Sequence, residues 1–240
     1  EIKKQVNLQQ IEFGNIFYQQ LLPALEKEKI FIKNGNGLSK EELSFAKEYY
    51  YGVQHFFKPT IKNDDTFLEN EALYLTGLLD DGSLIWVKIS GSVARFLQIP
   101  TGDGKITIVF IDDIVRMQLE DKFQTRFYAI KVSRDAELYI DNEYSGDLLE
   151  KIKKALPKRK VGQVTRALVD QSMPLELLEE VKKVLGINDT DIIRGGVYHN
   201  FKDFFGFPKI DNDKLYFSKQ QPIPHKALDY GENIIALIEK

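Results

Sequence analysis

The stretch ALYLTGLLDDGSLIWVKI, residues 72–89, decides the fold class of this chain. Two apolar runs flank Asp81-Gly82, a dipeptide typical of the tight turn of a β-hairpin. Further strands are predicted at residues 30–32, 95–99, 105–111, 125–132, 166–169 and 191–193. Consecutive hairpins of this kind predict an α+β fold, with a mixed, largely antiparallel sheet and helices packed on it.

Helical patterns precede the hairpin and follow it. Apolar residues recur with a period near 3.6 over residues 2–28, where Pro23 is expected to kink or restart the helix. Ser39 and Glu42 have the spacing of a capping box that opens a second helix. These two helices could form an antiparallel pair in front of the sheet. More helices are predicted at residues 112–119, 145–156 and 174–186.

Composition excludes several classes of protein. The 240 residues include no cysteine, which rules out disulfides and thiolate chemistry, and three scattered histidines argue against a zinc site. No apolar run approaches the roughly 20 residues of a membrane helix, so we expect a cytoplasmic protein without a transmembrane segment. The chain opens inside a helical pattern without methionine, so we expect a piece of a longer protein.

The domain organisation is predicted from changes in composition and in the pattern of helices and strands along the chain. We expect a helical N-terminal part over residues 1–62 and an α+β domain over residues 63–222. Residues 223–240 are polar and proline-containing at their start, so we expect a linker there. Nothing in the sequence requires the first two parts to fold independently.

A basic window lies between residues 151 and 169, where seven lysines and arginines occur without a single acid. It can be a solvated helix end, which lysines favour because of the helix dipole. It can equally be a patch that faces an anion. In the second case Arg159 and Arg166 are the best candidates, since a guanidinium binds phosphate in a fixed fork. The net charge of −3 gives no overall field that would attract nucleic acid.

The stretch IRGGVYHNFKDFFGFP, residues 193–208, is here called the aromatic segment. It holds two adjacent glycines, one histidine and five aromatic side chains. Buried aromatics need walls and paired glycines allow close backbone approach, so we expect a rigid, partly buried recognition segment. His199 is expected to be a hydrogen-bonded structural group rather than a catalytic base. Asp112-Asp113 is interpreted as a helix cap rather than an acid–base pair.

Three groups of residues resemble the middle, or head, domain of the long-form bacterial polyphosphate kinases. They are VSRDAE at residues 132–137, Met173-Pro174, and the GGVYHNFKDFFGFP part of the aromatic segment. The order and approximate spacing of these motifs match the family. The resemblance is strong over residues 125–210 and looser in the N-terminal helices and the hairpin.

The resemblance implies a parent enzyme that reversibly transfers the terminal phosphoryl group of ATP to inorganic polyphosphate. That family uses a phosphohistidine intermediate and magnesium, both in domains to which nothing in this chain corresponds. We therefore expect no catalytic residue, cofactor or metal site in this chain, with ATP and magnesium needed only by the parent. The implied partners are inorganic polyphosphate and a second copy in a homodimer or higher oligomer. Peripheral attachment of the parent to a membrane is left open.

The resemblance also implies roles for individual positions. Besides Arg159 and Arg166, the candidates for facing polyphosphate are Arg134, Arg194, His199 and Lys202. Val197 stands where many relatives carry arginine, which would remove one anion contact. Phe204, Phe205 and Phe207 are candidates for a subunit interface. Three roles follow: a guiding and assembly module, a purely structural dimerisation domain, or, least expected, a self-sufficient enzyme using His199 or Asp135.

Overall fold

A computed structural model of the chain describes residues 2–61, 67–102, 104–135, 162–221 and 235. The chain divides into two compact units, Glu1–Pro208 and Lys209–Lys240. In the second unit a short 3-10 turn, Asp213–Leu215, is capped by the side chain of Asn212. The helix expected after Ser145, and Arg159, lie outside the described residues.

All the sheets and longer helices described belong to the first unit. Its strands are β1 Ile30–Lys33, β2 Pro59–Ile61, β3 Leu73–Leu78, β4 Leu84–Lys88, β5 Phe96–Pro100, β6 Ile106–Phe110, β7 Tyr128–Arg134, β8 Val164–Asp170 and β9 Ile192–Gly195. Its helices are α1 Ile2–Asn15, α2 Leu22–Lys27, α3 Lys40–Val53, α4 Ile111–Phe123 and α5 Leu175–Leu185. A π-helical turn, Ile16–Leu21, joins α1 to α2, and short 3-10 turns occur at Gly35–Gly37, Gln54–Phe56, Asp189–Asp191 and Phe201–Gly206.

The strands form two sheets, which confirms the predicted α+β class. The smaller sheet has the order β1-β6-β5, with β1 parallel and β5 antiparallel to β6. The larger has the order β2-β4-β3-β7-β8-β9 and is antiparallel except between β8 and β9. The predicted hairpin is β3-β4, and Gly82 takes a φ of 81° in its turn, a conformation that only glycine adopts without strain.

Each face of the larger sheet covers a different hydrophobic core. One core contains Leu75 and Val87 of the sheet with Ile114 and Leu119 of α4. The other contains Trp86, Ile130 and Val169 of the sheet with Leu178 and Val181 of α5. Side chains of a strand alternate between faces, so a sheet with a core on both sides needs nearly continuous apolar strands. β3 and β4 have such a sequence.

The ends of the helices follow the local signals in the sequence. Pro23 lies in the first turn of α2, where a missing N–H costs nothing, so the helix restarts as predicted. The Ser39 hydroxyl accepts from the Glu42 N–H at 3.2 Å, and Glu42 Oε2 accepts from the Ser39 N–H at 2.7 Å, which confirms the capping box. Gly186 ends α5 in the left-handed conformation with a φ of 63°.

The N-terminal part is built into the first unit. β1 pairs along its whole length with β6, and α3 packs mainly against α4 and β5. The sequence suggested that the first helix and α3 could pair with each other, but the main contacts of α3 lie elsewhere. The boundary expected near residue 62 stays a prediction about family domains, because β1 and β6 on its two sides share one sheet.

Candidate functional site

The aromatic segment docks on the smaller sheet and on the helices beside it. The Phe204 ring lies 4.9 Å from that of Phe96 in β5 and 5.8 Å from that of Phe17 in the π-helical turn, centroid to centroid. Tyr198 stacks on Phe110 at the end of β6, with ring centroids 4.0 Å apart. These ring contacts are the packing partners that the aromatic segment was predicted to need, and they keep the segment partly buried.

An almost buried arginine, Arg95, binds the aromatic segment through hydrogen bonds and ion pairs. Arg95, immediately before β5, donates from Nη2 to Asp112 Oδ2 at 2.6 Å and from Nη1 to Asp203 Oδ2 at 2.8 Å. The same Nη2 donates to the backbone carbonyl of His199 at 3.2 Å. One guanidinium therefore joins the start of α4 to two points of the aromatic segment, and Asp112 is completely shielded from solvent.

A second ionic contact lies one residue further along α4. Asp113 accepts from the Tyr198 hydroxyl at 2.6 Å and from Arg116 Nη1 at 2.7 Å. Burial raises the pKa of Asp112 to about 6, and Arg95 opposes that rise. Burial likewise raises the pKa of Asp113 and, together with Asp113, that of the Tyr198 hydroxyl. Asp112 and Asp113 lie in the first turn of α4, but Phe110 holds the cap position and no side chain caps it, so the cap interpretation is wrong. Both acids are instead buried ion-pair partners.

His199 is enclosed by the segment and the sheet edge. Its side chain is buried, and Nε2 lies 2.9 Å from the Gly196 carbonyl oxygen. A Cβ on Gly195 would come within 2.7 Å of Leu168 Cδ1, so a larger residue there would require the Leu168 side chain to move. Burial lowers the pKa of His199 to about 4, which leaves it neutral at pH 7. This placement corrects the expectation that His199 faces an anion, because a buried neutral ring attracts none.

Arg166 and Arg194 lie on opposite faces of the larger sheet. Arg166 in β8 pairs with Ser133, whereas Arg194 in β9 pairs with Val169 of β8. Residues 166 and 169 of one strand point to opposite sides, and directly paired residues share a side. Both arginines are exposed, but Arg194 donates from Nη1 to the carbonyls of Gln171 and Met173 at 3.0 and 3.3 Å. The two side chains therefore leave the larger sheet on opposite sides.

The remaining basic candidates differ in how firmly they are held. Arg134 donates from Nε to the Leu68 carbonyl at 2.7 Å and from Nη1 to the Gly162 carbonyl at 2.6 Å. Its guanidinium lies 4.2 Å from the centre of the Phe67 ring, and burial lowers its pKa. Lys202 is exposed within the aromatic segment. Arg134 is thus a fixed, half-buried cation, whereas Lys202 is a surface charge.

The three phenylalanines proposed for a subunit interface occupy different environments. Phe204 and Phe207 pack on each other and on Phe96, and both are half-buried. Phe205 is fully exposed. All three stay interface candidates, although Phe204 and Phe207 already use part of their ring surface within the chain. Phe205 keeps the geometry that an interface residue needs.

Sequence reasoning did not find Arg95 or Arg116. A single arginine before a strand gives no signal of its own, because its partners Asp112 and Asp203 are 17 and 108 residues away. The Asp112-Asp113 pair is visible in the sequence, but its interpretation as a helix cap does not call for a buried arginine. Two adjacent acids before an apolar helix face could have suggested a buried partner.

These residues do not fit a magnesium–nucleotide site. Within the described ranges, no three histidine or carboxylate side chains come together to hold a metal ion. The contacts of Arg95 and Arg116 that hold the aromatic segment at the start of α4 are here called the joint. Asp112 and Asp113 are its most buried acids, and each is paired with an arginine. What the arrangement can do is fasten a segment and present separate basic side chains at the surface.

The fold and this joint define a class of protein: a mixed α+β module that carries a docked aromatic segment. The profile of the polyphosphate kinase middle domain matches residues 43–207, more than half of the chain. The chain therefore belongs to the polyphosphate kinase middle-domain family. The match includes the docked segment up to Phe207.

Individual relatives support the assignment. Polyphosphate kinases of Vibrio cholerae and Escherichia coli are each 30% identical over 233 residues, covering 89% of this chain. The crystal structure of the polyphosphate kinase from Porphyromonas gingivalis matches the fold over 99% of this chain, with a TM-score of 0.78 and 23% identity. The chain spans about a third of these relatives: 32% and 33% of the two sequences and 36% of the crystallised chain. Within the described residues, no helix is both long and apolar enough to cross a membrane.

Proposed function

We propose that this chain is the middle domain of a polyphosphate kinase that reversibly transfers the terminal phosphate of ATP to inorganic polyphosphate. The match of the family profile over residues 43–207 carries this proposal. Within that enzyme the domain guides polyphosphate and contributes to assembly as a dimer or higher oligomer. It supplies no catalytic residue, and ATP and magnesium act in other domains. Domain limits at residues 62 and 222 and a cytoplasmic location belong to the same proposal.

Exposed cations support the guiding role. Arg166, Arg194 and Lys202 are exposed, and the oxygens that accept hydrogen bonds from Arg166 and Arg194 belong to a hydroxyl and to backbone carbonyls. Neutral acceptors orient both guanidiniums, while the nearby Glu71 carboxylate, whose pKa Arg166 helps to lower, offsets part of the Arg166 charge. Such side chains reduce the repulsion felt by a polyanion near a protein of net negative charge, an effect that salt weakens.

A filter-binding titration with long-chain polyphosphate tests the guiding role. We expect binding at low salt that weakens steeply at high salt. Because Arg166 and Arg194 lie on opposite faces, one of Arg166→Glu and Arg194→Glu should reduce the affinity several-fold and the other should have little effect. Arg126→Glu, at an exposed arginine after α4, is the matched control. Absence of binding at low salt would remove the guiding role.

The same chain incubated with ATP and magnesium should make no polyphosphate. Phosphoryl transfer needs metal ligands, and the described residues bring no three histidine or carboxylate side chains together. Substantial synthesis by the purified chain would overturn the assignment of a non-catalytic role.

A purely structural dimerisation domain is the second candidate, and the fully exposed Phe205 favours it. In light scattering, a dimer whose mass falls to that of a monomer on Phe205→Ala would support this role. Phe204→Ala is the control for simple destabilisation: it should lower the free energy of unfolding by about 3 kcal/mol, whereas Phe205→Ala should change it by less than about 0.5 kcal/mol. A wild-type monomer that binds polyphosphate would exclude this second role.

A further inference from the structure

A cleft opens beside the joint, between the π-helical turn and α4. Its volume is about 310 Å³, within the range of small-molecule sites. Phe17, Tyr18 and Tyr198 give it aromatic walls, while Asn36, Arg116 and Val197 add polar and aliphatic surface. A π-helical turn is rare and is often found at functional sites. Here the turn places Phe17 inside the protein and leaves Tyr18 half exposed at the rim.

Arg116 lines this cleft and carries hydrogen-bond donors that no acceptor satisfies. Its Nη1 donates to Asp113, whereas its Nε and Nη2 are buried and have no hydrogen-bond partner among the described residues. Nε and Nη2 form one side of the planar guanidinium, and their N–H bonds point in the same direction. Such an edge binds two adjacent acceptors at once, and buried donors that lack an acceptor are costly.

The charge around the edge selects among possible ligands. Asp113 and Glu120 line the cleft together with Arg116, so its lining carries one more negative than positive charge. A phosphate or carboxylate would meet that excess at close range. A neutral ring with two adjacent acceptors avoids the repulsion and uses the aromatic walls. The O6 and N7 atoms of guanine are such a pair, and arginine commonly binds them with two hydrogen bonds.

We propose that this cleft binds a purine nucleobase with two adjacent acceptors, of the guanine type, through the Nε and Nη2 edge of Arg116. This role needs no phosphate and does not depend on the proposed guidance of polyphosphate. Because both nitrogens are buried, binding requires a small shift of a lining side chain.

Isothermal titration calorimetry with guanosine, which carries no phosphate, tests the proposal on the whole chain. Arg116→Lys keeps the charge but loses the paired edge, so it should weaken binding about tenfold or more, the discrimination typical of a two-bond arginine contact. Arg126→Lys, the matched control, should bind as the wild type does. Adenosine, which presents one acceptor and one donor on that edge, should bind several-fold more weakly.

A second variant keeps the test decisive if Arg116→Lys fails to fold. Val197→Phe fills the cleft and leaves Arg116 intact, and it should also abolish guanosine binding. No guanosine binding at millimolar concentration, or binding unchanged in both variants, would overturn the proposal. Displacement of guanosine by equimolar inorganic phosphate would also overturn it, since the edge would then be an anion site.

Discussion

At the scale of single residues, the joint contains polar atoms that the fold buries without complete satisfaction. His199 Nδ1, Asp112 Oδ1 and Arg95 Nε are buried and have no hydrogen-bond partner among the described residues. Buried polar groups lose the solvation of water, which moves their pKa values away from the usual range. Burial lowers the pKa of the His199 imidazole to about 4 and raises that of the Asp112 carboxyl to about 6. As the pH falls, the His199 shift therefore lowers the stability of the fold and the Asp112 shift raises it.

The pH dependence of stability should separate these two groups. An unfolded histidine binds its proton near pH 6.5, whereas His199 in the folded chain binds one only near pH 4. Its contribution is therefore present above pH 6.5 and is lost as the pH falls to 4, by about 3 kcal/mol. Asp112 acts oppositely: the folded state takes up the proton first as the pH falls below about 6, which favours folding.

His199→Gln removes the loss of stability that protonation of His199 causes at low pH, and it keeps the stabilisation that protonation of Asp112 gives. Urea unfolding at pH 7, 5.5 and 4.5 should show the variant losing less stability than the wild type on acidification. His55→Gln, at an exposed histidine, should follow the wild-type curve. Parallel curves for the wild type and His199→Gln would show that the His199 pKa is not lowered.

At the scale of elements, helix ends and turns were the features most readily predicted. The capping box, the hairpin turn and the end of α5 each depend on residues within four positions of one another. Local hydrogen bonds and allowed φ values decide such features, so tertiary contacts are not needed to specify them. The π-helical turn had no comparable signal: the sequence predicted only that Pro23 kinks or restarts the helix.

Two glycines should respond oppositely to alanine. Gly186→Ala forces a Cβ into the left-handed conformation at the end of α5 and should cost about 1 kcal/mol or more. Gly52 lies within α3 with open space around a Cβ, so Gly52→Ala should stabilise by about 0.5–1 kcal/mol. Thermal unfolding measures both changes. A stabilising effect of Gly186→Ala would mean that the α5 end does not need positive φ.

At the scale of the whole first unit, the two ion pairs of Arg95 and one aromatic cluster join distant parts of the chain. Arg95 connects to residues 112, 199 and 203, and the ring of Phe204 packs on those of Phe17 and Phe96. A buried ion pair contributes little net stability, but a broken one leaves a charge without a partner. The network therefore specifies where the segment docks more than how stable the protein is.

Arg95→Met should destabilise the chain by about 3–5 kcal/mol, because Asp112 would stay buried without its partner. Adding Asp112→Asn should recover part of that loss, since the uncompensated charge is then removed. Chemical unfolding measures both variants, and Lys122→Met on the exposed side of α4 is the control. Equal losses in the single and double variants would argue against an uncompensated charge at Asp112.

The sequence by itself determined the α+β class, most strand and helix positions and the buried character of the aromatic segment. Its motifs also indicated the family that the profile of the middle domain confirms. These features follow from local periodicity, turn chemistry and side-chain type. Those signals depend on residues close together in the sequence, so they can be recognised without knowing which distant residues come into contact.

Only the tertiary structure decided which side of the larger sheet each candidate cation occupies. It placed Arg166 and Arg194 on opposite faces, buried His199, and turned Phe204 inward while Phe205 stayed exposed. It also brought Arg95 to partners up to 108 residues away. Strand register and long-range packing set these facts, and burial then decides whether a charge faces water, a ligand or a partner inside the protein.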